Sequence, residues 1–92
     1  MSKQVKQAKK KIQEKIAQLE KRIMRQEDEA EKIKQRINSL YKLSESETSE
    51  LEKNKILQLI NDYRIEMNYF IRKADKLGER QEGLEIALKI LG

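Results

Sequence analysis

Apolar residues recur along the first half of the chain at alternating steps of four and three. Ile12, Ile16, Leu19, Ile23, Ala30, Ile33, Ile37 and Leu40 follow this rule, with Gln26 the one polar residue in the row. A heptad row sustained in this way predicts one continuous helix with a coiled-coil seam. Ile16, Ile23, Ala30 and Ile37 occupy a positions; Ile12, Leu19, Gln26, Ile33 and Leu40 occupy d positions. Val5 extends the d column, but Lys9 falls at a, so the first turns are weakly apolar. Helix one is predicted over residues 3–42.

Residues 43–48, Leu-Ser-Glu-Ser-Glu-Thr, read as a loop, because Ser and Thr side chains compete with the helix for backbone partners. Ser49 and Glu52 have the spacing of a capping box, so helix two is expected from about residue 49. It carries its own row: Ile56, Ile60, Tyr63, Met67, Phe70, Ala74, Leu77, Gln81, Leu84, Leu88 and Leu91. Gly78 and Gly83 each cost about 1 kcal/mol relative to alanine in a helix. Helix two is therefore expected over 49–78, with a short C-terminal helical segment over 79–91 that either continues it or bends away at the glycines.

The two rows complement each other. A chain folded about residue 46 or 47 sets Ile16 against Leu77, Leu19 against Ala74, Ile23 against Phe70, Gln26 against Met67, Ala30 against Tyr63, Ile33 against Ile60 and Ile37 against Ile56. Every layer joins an a position to a d position, as an antiparallel hairpin requires. Beside the seam, this register places Lys15 by Arg80, Arg22 by Lys73 and Glu29 by Glu66. Such exposed like-charge pairs cost a few tenths of a kcal/mol each, less than burial of the apolar layers returns. Gln26 is expected to reach past Met67 to the solvent.

The fold class that follows is all-α: an antiparallel two-helix coiled-coil hairpin forming a single domain over residues 1–92, expected to dimerise into a four-helix bundle. Charged residues make up 40% of the chain and aromatics 4%, the composition of a coiled coil rather than of a packed enzyme. A two-helix core is thin, so self-association is favourable.

Charge divides the surface. Residues 1–25 hold nine Lys and Arg against Glu14 and Glu20, while residues 43–92 are slightly acidic. On the g/c face of the hairpin, Lys11, Lys15, Arg22 and Arg25 of helix one join Lys73, Lys76 and Arg80 of helix two, with Tyr69 alongside. Phosphates along a DNA or RNA backbone would relieve their mutual repulsion and release counterions, and Tyr69 could stack on a base. No base-reading motif is present, so such binding would tolerate most sequences. A basic stretch joined to heptads is also the layout of bZIP proteins. Here, however, Lys6-Gln-Ala-Lys-Lys-Lys11 overlaps the heptads instead of preceding them.

The opposite b/e face carries Ala17, Met24, Leu57 and Ile71, a candidate strip for a homodimer. The last ten residues offer a third candidate. Leu84, Ile86, Leu88, Ile90 and Leu91 span a wider arc than helix one could cover, and could dock on a protein partner.

Several classes of chemistry lack their residues. The chain has no cysteine and no histidine, so thiolate metal sites, thiol nucleophiles and the usual neutral-pH base are missing. No Gly-rich phosphate loop and no EF-hand spacing occurs. No catalytic residue, cofactor or metal is expected, and the protein is not expected to be an enzyme. No apolar run is long enough to cross a membrane. The opening Met1-Ser-Lys-Gln has no apolar h-region, so the expected compartment is the cytoplasm. The functional expectation is a regulatory or accessory interaction protein. It would act as an adaptor, scaffold or inhibitor through protein contacts on helix two and the tail, or as a small nucleic-acid-binding protein through the g/c face.

Overall fold

The computed structural model describes residues 2–92. It is two long helices, α1 (Lys3–Ser46) and α2 (Glu50–Leu91), folded into an antiparallel hairpin 72 Å long and 14 by 12 Å across. Ser2 caps α1: its hydroxyl accepts from the Val5 N–H at 3.2 Å.

α1 continues four residues beyond its expected end, and the loop shrinks to residues 47–49. The serines that were to break the helix are absorbed by it. Ser44 Oγ donates to the Tyr41 carbonyl at 2.7 Å and Ser46 Oγ to the Leu43 carbonyl at 3.0 Å. Both hydroxyls are thereby satisfied without leaving helical geometry. Glu47 then leaves the helix in extended conformation. Its carboxylate accepts from the N–H groups of Thr48 and Ser49, each at 3.0 Å, and so closes the turn. Ser49 caps α2 by accepting from the Glu52 N–H at 3.4 Å. The return half of the capping box is absent, since Glu47 already holds the Ser49 N–H and Glu52 pairs with Lys55 at 3.3 Å.

α2 runs unbroken through Gly78 and Gly83, so residues 79–91 continue helix two. Neither glycine has positive φ. Leu77, 6% exposed, and the half-buried Leu84 bracket them, and seam burial outweighs the glycine cost.

Buried and half-buried residues follow the two heptad rows along nearly the whole rod. The core is centred on Ile33, Ile37 and Ile60, with Leu40, Ile56, Tyr63, Met67 and Phe70 packed against them. The register, however, is displaced. Pairing Phe70 with Ile23 would leave it ten residues from Ile33, about 15 Å along the helix, yet Phe70 packs on the Ile33 cluster. Arg64 donates a hydrogen bond to the Tyr41 hydroxyl, and Gln81 Nε2 donates to Glu20 Oε1 at 3.4 Å. These contacts fit a slide of α2 by one heptad. Ile12 then meets Leu88, Ile16 meets Leu84, Ile23 meets Leu77, Gln26 meets Ala74, Ala30 meets Phe70, Ile33 meets Met67, Ile37 meets Tyr63 and Leu40 meets Ile60.

Sliding by a full heptad keeps every a position opposite a d position, so the apolar pattern permits either register. Two gains favour the observed one. Leu84 and Leu88 exchange Lys9 and Val5 for Ile16 and Ile12. Beside the seam, Glu29 now lies level with Lys73 and Arg36 with Glu66, in place of the Glu29/Glu66 opposition, while Arg22 comes level with Arg80.

A cationic face and a carboxylate face

The one-heptad slide leaves each residue on its own face of the hairpin but changes its neighbours. On the g/c face, one hollow is lined by Arg22, Gln26, Lys73, Lys76, Leu77 and Arg80. The adjoining hollow is lined by Lys15, Gln18, Leu19, Arg22, Arg80, Gly83 and Leu84. Five predicted cations, Lys15, Arg22, Lys73, Lys76 and Arg80, therefore come together from both helices. Lys11 and Arg25 are exposed on the same face of α1 but line neither hollow.

No carboxylate lines either hollow. Among the described residues only two ion pairs form, Lys32–Glu29 and Lys55–Glu52, and neither involves this cluster. Gly83 leaves the second hollow open, since a Cβ there would meet nothing within 4 Å. Tyr69 is exposed, and its ring lies edge-on to Phe70 with centroids 5.3 Å apart. The Lys73 ammonium sits 5.3 Å from the Tyr69 centroid, so one ring face already carries a cation–π contact.

Gln26 is half-buried and lines the first hollow, with its amide oxygen turned towards the seam. Its Oε1 is inaccessible and has no hydrogen-bond partner. Opposite Ala74, rather than Met67, the amide has room to fold inwards.

The b/e face differs from its expected character. Ala17, Met24, Leu57 and Ile71 are all exposed. Ile71 lines a hollow with Ala30, Met67 and Ala74 as its apolar floor and Glu27, Glu31, Lys34 and Asp75 at its rim. Leu57 precedes Ile71 by fourteen residues on α2, about 21 Å. The neighbouring hollow is lined by Ile23, Glu27, Ala74, Asp75, Gly78, Glu79 and Glu82: four carboxylates and no cation. Sequence reasoning missed this carboxylate face. Its trace was present in Asp75, Glu79, Glu82 and Glu85, whose spacings of four and three put them on one side of α2.

The tail divides. Leu84, Leu88 and Leu91 are half-buried in the seam, whereas Ile86 and Ile90 face solvent at 59% and 80% exposure. Among the described residues there is no cluster of potential metal ligands, and no helix is long and apolar enough to cross a membrane. Comparisons with family models, with characterised proteins and with solved structures find no match.

Proposed function

We propose that the chain is a non-enzymatic binding protein whose g/c face takes the phosphate backbone of a nucleic acid. One observation carries this reading: Arg22, Lys73, Lys76 and Arg80 line a single hollow without any carboxylate. Four uncompensated cations side by side repel one another. A polyanion removes that repulsion and releases its own counterions, which supplies sequence-independent affinity. Lys15 extends the row towards the open end of the rod, beside the gap at Gly83. Tyr69 lies at the other end of the row, where a base or sugar would have to share the ring with Lys73.

The test is binding of random-sequence duplex and single-stranded DNA and RNA across a salt series. Affinity should fall steeply with salt. Replacing Arg22, Lys73 and Arg80 by glutamine should weaken binding at least tenfold and flatten the salt dependence by about one unit per lost phosphate contact. Absence of salt-dependent binding by the unaltered chain at 50 mM salt overturns the proposal.

A second reading has its own support. Ile86 and Ile90 are one helical turn apart and exposed, and form a small apolar step on α2 suited to a protein partner. In that case the hairpin is an adaptor or inhibitor, and replacing both isoleucines by serine abolishes partner binding without disturbing the seam.

A further inference from the structure

The cationic hollow and the carboxylate hollow lie at one level of the rod, on opposite faces. Leu77 contributes to the first and Ile23, its seam partner, to the second. Arg22 and Arg80 thus stand on one side of the layer that has Glu79 and Glu82 on the other. None of these four has an ion-pair partner within 4 Å in its own chain.

We infer that copies of this chain associate face to face, parallel and in register, with the cationic face of one hairpin seated on the carboxylate face of the next. This goes beyond the proposed polyanion binding and does not depend on it. Charge complementarity identifies the occupant. The carboxylate hollow has an apolar floor of Ala74 and Ile23, deepened at Gly78, where a Cβ would meet nothing within 4 Å. Lysine and arginine stems pack on such a floor while their heads meet the carboxylates. The chain carries that complement at the same height on its other face.

Parallel alignment follows from the exposed apolar residues beside the two clusters. It sets the two opposite clusters level and overlaps the rods along their whole 72 Å. An antiparallel neighbour aligned on these clusters would overlap nearly as far, because they lie near the middle of the rod, but it would set Ile71 near the level of Gly83, where no apolar side chain meets it. Parallel alignment also brings Ile71, on the carboxylate face, to nearly the level of Tyr69 on the neighbour's cationic face; both are exposed. A two-fold contact of carboxylate face on carboxylate face, as an apolar b/e dimer would require, instead opposes Glu27, Asp75, Glu79 and Glu82 to their own copies. The inferred interface is heterologous, so every assembly retains one free face of each sign and association grows with concentration. A polyanion on the cationic face competes with it.

Sedimentation velocity of the full chain tests this, at rising concentration and at 25 and 500 mM salt. The unaltered chain should form species larger than dimers at low salt and revert to monomer at high salt. Arg22→Glu/Arg80→Glu and Glu79→Lys/Glu82→Lys should each remain monomeric. Mixed in equal amounts they should associate again, because the first keeps its carboxylate face intact and the second its cationic face. The neutral pairs Arg22→Gln/Arg80→Gln and Glu79→Gln/Glu82→Gln should lower the association constant at least tenfold, with helical circular dichroism unchanged. A monomer at low salt, a closed dimer indifferent to these changes, or a mixture that stays monomeric overturns the inference. Glu79→Lys/Glu82→Lys should still bind nucleic acid, so the two proposals fail separately.

Discussion

Gln81 donates a hydrogen bond to Glu20 at 3.4 Å, which places it eight residues away from Ile12, its counterpart in a hairpin folded about residue 46. Eight residues span about 12 Å of helix, more than these two side chains can bridge. The contact therefore reports a register one heptad removed from the one that the turn position alone suggests. Cross-linking can check it, because the chain has no cysteine of its own. Gln26→Cys with Ala74→Cys should oxidise readily to an intramolecular disulfide. Gln26→Cys with Met67→Cys should not, since one heptad of displacement exceeds the Cα separation that a disulfide tolerates. Non-reducing electrophoresis of the two double variants distinguishes the registers.

The orphaned Gln26 oxygen makes a second prediction. A buried acceptor without a donor costs about 1–3 kcal/mol, and Oε1 is both inaccessible and unpartnered. Gln26→Leu removes that group and fills the space opposite Ala74 with an apolar side chain. Stability should rise by about 1–2 kcal/mol, a gain of at least 4 °C in Tm for a chain of this length. Thermal unfolding followed by circular dichroism reads it directly.

Gly78 and Gly83 lead to a third. Both have helical backbone and open space where a Cβ would stand. Alanine at either position should stabilise α2 by about 1 kcal/mol. In the core the sign reverses. Ile60 is 2% exposed, and Ile60→Ala should cost about 2–5 kcal/mol. Urea titrations of the three variants should bracket the unaltered chain on both sides.

How much of this was legible in the residues follows from what heptads encode. The seam positions from Ile12 to Leu40 and from Ile56 to Leu91 are the positions the structure shields, because a stripe of period 3.5 has one face to bury. The same repeat is blind to a shift of seven: Ile23 fits Phe70 and Leu77 equally well in shape and polarity. That choice lay with Ser44 and Ser46, whose hydroxyls could break the helix or bond back to it, and composition does not separate those outcomes. Membership of the g/c face survived because a whole-heptad slide preserves it. The carboxylate face emerged only when Glu27 of α1 was brought beside Asp75, Glu79 and Glu82 of α2.

The cationic face should be bought at some expense in stability, which gives a test with two opposed readouts. Arg22 and Arg80 line both g/c hollows and have no carboxylate in either. Their repulsion acts mainly through solvent, so it amounts to a few tenths of a kcal/mol and fades as salt rises past a Debye length of about 10 Å at 0.1 M. Arg80→Gln should raise Tm by one or two degrees at 10 mM salt, and the difference should vanish near 500 mM. Affinity for random-sequence DNA or RNA should fall over the same range of conditions in which stability rises. A merely structural arginine would lose stability when neutralised. A gain in Tm together with a loss of polyanion affinity identifies a residue kept at the hairpin's cost for contact with an external anion.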